Sequence, residues 1–129
     1  MAAQFAAPEE KQALAKEAAD LLERKGDLPA ARERLVELVG LSPDDGNIRA
    51  RLKLLADVTA APDAYVRGLT AAAGATKDAG LQVSLWLEAA EVEEAGGHDT
   101  LAAVGRYRQV LASTAATPEQ VLVALRKLG

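Results

Sequence analysis

Turn-forming residues recur at short, regular intervals along this chain, and the stretches between them have the periodicity of α-helices. A proline is favoured in the first turn of a helix, and a glycine just beyond its last turn. The prolines and glycines here are placed in that way. They predict seven helices, over about residues 8–25, 27–39, 47–58, 62–73, 81–95, 99–113 and 118–128, with Gly26, Gly40, Gly74 and Gly97 among the stops.

The residues between the turns favour helices over strands. Alanine and leucine, the strongest helix formers, number 29 and 19, whereas the chain has one Phe, one Trp and two Tyr. The alternating runs of Val and Ile that a sheet would need are rare. We therefore predict an all-α fold. Because no linker is long enough to divide the 129 residues, we predict a single domain.

The apolar positions of each helix predict which face is buried. In the first helix they include Leu14, Ala15, Ala18, Ala19, Leu21 and Leu22. The sixth helix is expected to bury Leu101, Ala103, Tyr107, Val110 and Leu111. Trp86 lies beside the inner stripe of the fifth helix, and we expect it to be a core residue rather than a platform for a ligand.

The first two helices and the turn after them carry a spaced motif. Gly26 lies in the turn, Ala31 follows five residues later, Leu35 four residues after that, and Pro43 eight residues after that. Ala19 and Ala31 would let the two helices approach closely. The motif resembles the 34-residue tetratricopeptide repeat, in which these positions hold the turn glycine, a close-packing alanine, a large apolar residue and the terminal proline.

This resemblance extends over most of the chain as three units, at about residues 12–45, 46–79 and 83–117, followed by a terminal helix at 118–128. In the second unit Ala60 stands in place of the turn glycine. The third unit matches the family positions with Trp86, Ala90, Gly97, Ala103 and Tyr107. The resemblance implies a right-handed α-α superhelix of about three antiparallel helix pairs plus a C-terminal helix. A plain helical bundle, which also uses Ala and Leu, is the alternative.

In the tetratricopeptide family the first helix of each pair lines the concave surface that holds a partner. Carried over to this sequence, the partner groove would be lined by Lys16, Asp20, Arg24, Arg51, Leu54, Glu88, Glu91 and Glu94, with Glu17, Glu23, Asn47, Asp57 and Ser84 beside them. Acids outnumber bases in this set, so a basic peptide or protein is the expected partner. Ordinary solvated helix faces are the alternative interpretation of the same residues.

The seventh predicted helix is apolar around much of its circumference. Its stripe includes Val121, Leu122 and Leu125, whereas a helix that caps a repeat array should keep a polar outer face. We therefore expect either that the chain is a fragment of a longer array or that it self-associates through these three residues.

The residue types that most catalytic and metal sites require are scarce. The sequence has no Cys, and His98, in a predicted turn, is its one His. With one His, a multi-His metal site cannot form within one chain. Ser42, Ser84 and Ser113 lack the sequence context of a nucleophile elbow, so a Ser-His-Asp site is not predicted either. Glu91, Glu93 and Glu94 lack the spacing of a Ca²⁺ loop and are interpreted as a solvated helix face. We expect no catalytic, metal-binding or cofactor-binding residue.

Charge and hydropathy exclude two further classes of partner. The net charge is −4, with Lys and Arg spread along the chain, which argues against a nucleic-acid surface. No apolar stretch approaches the roughly 20 residues that cross a bilayer. The first residues lack the basic start and apolar segment of a secretory signal, so a cytoplasmic location is expected by default.

The leading functional prediction is a protein–protein interaction scaffold that binds a peptide or partner protein in the groove, by analogy with the repeat family. The alternative is a structural helical protein that self-associates through its C-terminal helix. An enzyme is not expected from this sequence, because convergent titratable groups are lacking.

Overall fold

A computed structural model describes residues 8–96 and 100–128, and these residues form helices and turns without a strand. The helices are α1 (Pro8–Arg24), α2 (Leu28–Leu41), α3 (Gly46–Val58), α4 (Pro62–Ala75), α5 (Ala79–Gly96), α6 (Thr100–Ala112) and α7 (Pro118–Leu128). The predicted all-α fold class is confirmed. None of the helices in the described ranges has the length and apolar character to cross a membrane.

Side-chain caps explain where several of these helices begin. The Asp27 carboxylate accepts a hydrogen bond from the Ala30 N–H at 3.3 Å before α2, and Asp45 caps α3 in a similar way. Before α7, Thr117 Oγ1 accepts from the Gln120 N–H at 3.2 Å, while Gln120 Oε1 accepts from the Thr117 N–H at 2.8 Å. This capping box satisfies two backbone donors at the start of α7.

Two predicted helix ends are wrong. Helix α2 continues through Gly40, and α4 continues through Gly74. A glycine commonly ends a helix by taking a left-handed conformation, and among the described glycines that conformation occurs at Gly26, with φ of 82°. Gly40 instead lies in the contact between α2 and α4, where a Cβ built on it would be 3.4 Å from Ala71 Cβ.

Helices α1 and α3 end with the same hydrogen-bond pattern, around Gly26 and Ala60. In both turns the N–H of the left-handed residue bonds the carbonyl three residues earlier, at 3.0 and 3.2 Å. The next N–H bonds the carbonyl five residues earlier, at 2.9 and 2.8 Å, which completes a Schellman motif. Ala60, which adopts φ of 54°, is the residue that the predicted second unit has in place of a turn glycine.

At position 60, glycine should therefore make the folded protein more stable than the native alanine does. Ala60→Gly is expected to raise the free energy of unfolding by about 1 kcal/mol, since relief of a left-handed alanine exceeds the entropy that glycine adds to the unfolded chain. The reciprocal Gly26→Ala is expected to lower it by a similar amount. Urea unfolding of both variants beside the wild type measures the two effects, and a less stable Ala60→Gly protein would contradict the strain assigned to Ala60.

Each helix packs against the next one along the chain, and α2 also packs against α4. The buried side chains form two clusters. The larger one is built from α1 to α5 and includes Leu35, Leu52 and Leu69, whereas the smaller one joins α5, α6 and α7 and includes Tyr107. Trp86 on α5 is half-buried and packs against both clusters. It therefore contributes to the core, as its position in the sequence predicts.

Helices α2 and α4 run in the same direction. Arg67 on α4 donates two hydrogen bonds to the Glu33 carboxylate on α2, at 2.8 and 3.0 Å. Beyond the ends of the two helices, Thr76 donates to Asp44 at 3.0 Å. Because both contacts join equivalent points along α2 and α4, the two helices lie parallel and nearly in register.

Three leucines predicted to lie in buried stripes are exposed. Leu101 has 82% of its surface accessible, Leu14 62% and Leu21 49%. Position 101 lies two residues before the buried stripe of α6 begins, which places it on roughly the opposite side of the helix. In α1 the buried side chains are Ala15 and Ala19, so the two leucines lie on a flank of that helix.

Candidate binding surface

The predicted groove residues lie on α1, α3 and α5, and the exposed side of these three helices is called here the front face. A first group of ion pairs on this face joins α1 to α3. Arg51 Nη2 lies 2.6 Å from Asp20 Oδ1 and 3.0 Å from Glu23 Oε1. All three side chains are partly shielded from solvent, with 26 to 36% of each accessible. The structure thus brings together two residues of the predicted groove, Asp20 and Arg51, as an ion pair.

A second contact between helices on this face is made by Tyr65, which lies where α3, α4 and α5 meet. Its ring is buried, its hydroxyl donates a hydrogen bond to the Glu88 carboxylate, and Lys53 Nζ lies 6.0 Å from the ring centroid. Burial and the neighbouring Glu88 carboxylate raise the pKa of Tyr65 above its ordinary value, so the hydroxyl remains a donor. Glu88 is consequently held against α4 rather than extended into solvent.

Glu94 lies on the other flank of α5. Its carboxylate accepts a hydrogen bond from the Tyr107 hydroxyl at 2.7 Å and from Lys127 Nζ at 3.1 Å. These two donors lower the pKa of Glu94 below its ordinary value. Gln120 Nε2 also donates to Ser84 Oγ at 3.2 Å, so α7 runs alongside α5 in the same direction.

The predicted acidic residues of α5 therefore do not converge on one point. Glu88 contacts α4, Glu94 contacts α6 and α7, and Glu91 is exposed between them. The sequence gives no direct signal for the two tyrosine hydroxyls that hold the outer glutamates. Each pair is separated by many residues, and its formation depends on how neighbouring helices cross.

Two large apolar side chains remain exposed on α3, in the middle of the front face. Leu54 is 62% accessible and Val58, one turn further along, is 60% accessible. Leu54 is a predicted groove residue, whereas sequence reasoning missed Val58. Its signal was the spacing of four residues from Leu54, which places both on one side of a helix.

The charges around these two apolar residues are of both signs. Lys16, Glu17, Arg24, Asp57 and Glu91 are exposed. Within the described ranges none of the five forms an ion pair, so their charges are available to a partner. The front face thus combines fixed polar junctions, an apolar centre and solvated charges.

A cleft lies on a different side of the molecule, between α4 and α5, and no sequence motif predicted it. It has a volume of about 480 Å³ and is lined by Ala60, Pro62, Asp63, Val66, Arg67, Val92, Glu93 and Gly96. Its charged side chains are paired, Asp63 with Arg67 at 3.8 Å and Glu93 with Arg106 at 2.5 Å. Each carboxylate that lines the cleft is therefore paired with an arginine.

The ion pair between α2 and α4 borders this cleft. Hydrogen bonds from Arg67 and, to a smaller extent, Arg32 hold the pKa of Glu33 at about 2, below its ordinary value of 4.5. Both Glu33 and Arg67 are nearly half exposed, so solvent screens the pair, and its contribution to stability is expected to stay below about 1 kcal/mol. The pair orients two helices rather than forming a reactive site.

No cluster of three or more His, Cys, Asp or Glu residues that could hold a metal occurs in residues 8–96 and 100–128. The buried side chains of this part of the chain include no Asp, Glu, Lys or Arg. His98 and Gly97, which the sequence places in the turn before α6, lie outside the described residues. No family model, curated protein or solved structure matches this chain.

Proposed function

We propose that this protein is an interaction scaffold that binds a segment of a partner protein on its front face, rather than an enzyme. The observation that carries this proposal is the exposure of Leu54 and Val58, at 62% and 60%, on adjacent turns of α3. Binding energy at protein interfaces is concentrated in a few central apolar or aromatic anchors, surrounded by a polar rim. The front face has such a centre, and charged residues surround it.

We further propose that the helices stack as a right-handed superhelix of the tetratricopeptide type. Support comes from the parallel pairs α2/α4 and α5/α7, since corresponding helices of successive repeats run in the same direction. Further support comes from the identical Schellman motifs at Gly26 and Ala60, 34 positions apart in the sequence. In such a stack the front face is the concave surface.

The fixed polar contacts of the front face favour binding because they order it in advance. Arg51 links α1 to α3, and Tyr65 links α4 to α5 beside Lys53 of α3. A surface whose side chains are already held by neighbours loses less conformational entropy when a partner binds. The three front helices would therefore present Leu54 and Val58 as a preformed site.

The partner that fits this surface is a basic segment with apolar side chains. Glu17, Asp57 and Glu91 are exposed acids without an ion pair in the described ranges, and they flank the apolar centre along the three helices. Complementary charge increases the association rate and selects the partner, and salt screens it. Replacement of Glu17 and Glu91 by Gln and of Asp57 by Asn is expected to weaken binding. Unchanged binding would contradict the proposal that the partner segment is basic.

The experiment that tests the scaffold function compares two equally exposed leucines. Leu54→Asp and Leu14→Asp each replace a side chain that is 62% accessible, but Leu14 lies on the outer flank of α1. Proteins captured from the native source by the wild type should be retained by Leu14→Asp. Leu54→Asp should bind these proteins with about 30-fold lower affinity, as expected for a change at an interface hot spot. Equal capture by the two variants would contradict the proposal.

A second candidate function is self-association as the main activity of the chain. The specific observation in its favour is the exposure of Leu122 and Leu125 on α7, at 52% and 51%. The third predicted residue of this surface, Val121, is half-buried at its edge. This surface does not involve the front face, so the two functions are compatible and separately testable.

A further inference from the structure

One side of α7 packs against the rest of the molecule, and the other side is exposed to solvent. Ala124 is fully buried, and Gln120 and Lys127 bond to Ser84 and Glu94 of α5. Residues 122 and 125 point away from that side, since Leu122 is 52% and Leu125 51% accessible. The exposed side of α7 is therefore a narrow apolar stripe.

The charges beside this stripe have a defined order. Glu119 and Arg126 are separated by seven residues, or two helical turns, so both lie on the same flank of α7. Both are exposed, and neither makes an ion pair in the described part of the chain. The midpoint between them falls beside Leu122, within one residue of the midpoint of the two leucines. The stripe thus carries an acid near its start and a base near its end.

This order matches a second copy of the same helix. When two helices pack antiparallel about a two-fold axis, the same flanks of both lie on the same side of the contact. Glu119 of one copy then lies beside Arg126 of the other, and the reverse pair forms by symmetry. A parallel two-fold arrangement would instead place the Glu119–Arg126 flanks of the two copies on opposite sides of the contact, so these ion pairs could not form.

We propose that two copies of this chain associate through α7, packed antiparallel, with Leu122 and Leu125 at the centre and two Glu119–Arg126 ion pairs at the edges.

The size of this contact sets its strength. Two 11-residue helices packed along this stripe are expected to bury about 1,200 Å² of surface. This area is at the lower limit of the range for stable interfaces. The dimer is therefore expected to dissociate in the micromolar range rather than to be permanent. The exchange between monomer and dimer should be visible in sedimentation experiments between about 1 µM and 1 mM.

The test is sedimentation equilibrium of the full chain with a charge swap. Arg126→Glu and Glu119→Arg should each weaken the dimer about tenfold, because each replaces two attractive pairs by two repulsive ones. The double variant Glu119→Arg/Arg126→Glu should return the dissociation constant to within about threefold of the wild type. Leu122→Asp/Leu125→Asp should be monomeric, whereas Leu54→Asp should dimerise normally.

Three results would overturn this proposal. They are a wild-type monomer at every concentration, oligomers that grow beyond the dimer, and a double charge variant as weak as the single ones. The Leu54→Asp control separates this contact from the front face. If the dimer is absent but capture of a partner still depends on Leu54, the scaffold function stands and the α7 contact is rejected.

Discussion

Replacement of Gly68 by valine is expected to lower the free energy of unfolding by about 2–3 kcal/mol. Gly68 is buried on α4, where a Cβ would overlap Leu52 Cδ2 and lie 3.7 Å from Val39 Cγ1. Leu52 and Val39 are themselves fully buried, so neither has free space into which it can turn. The substitution therefore forces apart α2, α3 and α4 where Val39, Leu52 and Gly68 meet.

The matched control for this substitution is Gly105→Ala. Gly105 is an exposed residue of α6, and a Cβ there would have no neighbour within 4 Å. Alanine should raise the free energy of unfolding by about 0.5–1 kcal/mol, because glycine is unfavourable inside a helix. Urea denaturation of both variants gives the two values. A Gly68→Val protein as stable as the wild type would show that the three helices do not pack as described.

Replacement of Leu35 by alanine is expected to lower the free energy of unfolding by about 2–5 kcal/mol, the range of large-to-small changes in protein cores. Leu35 lies on α2 in the larger buried cluster and is completely inaccessible. Its truncation removes apolar contacts and leaves a cavity among helices that are fixed by their other contacts. This magnitude approaches half of the stability of an ordinary small domain.

Leu14→Ala is the control for Leu35→Ala, since it makes the same chemical change at a side chain that is 62% accessible. Its effect should stay within about 0.5 kcal/mol. Calorimetric melting temperatures of the two variants provide a second measurement beside denaturant unfolding. If both substitutions destabilised the chain equally, the assignment of Leu35 to the core and Leu14 to the surface would be wrong.

The helices of this protein are largely predictable from sequence because their signals are local. Asp27, Thr117 and Pro118 determine helix starts through their own side chains and their own backbone. Gly40 and Gly74 misled the prediction because a glycine can also lie within the last turn of a helix. Gly40 faces α4 there, whereas the space beside Gly74 is open, and the local sequence does not distinguish either glycine from a left-handed stop.

The arrangement of side chains on the front face was predictable in part for a similar reason. Asp20 and Arg51 lie on helices that the repeat resemblance makes neighbours, and they form an ion pair. The hydrogen bonds of Tyr65 to Glu88 and of Tyr107 to Glu94 were not predicted, because they depend on rotamers and crossing angles. The exposed Leu101 shows the limit of counting apolar residues, since two positions along a helix reverse the side on which a residue lies.

The central claim of this account is that a partner protein binds on the front face, over Leu54. Site-specific photocrosslinking tests it most directly, with benzoylphenylalanine placed at position 54 and, as a control, at position 37 on α2, where the native side chain is 56% exposed. We expect a discrete adduct with a partner protein from position 54 and none from position 37. Adducts from position 37 alone, or the same adducts from both positions, would contradict the claim.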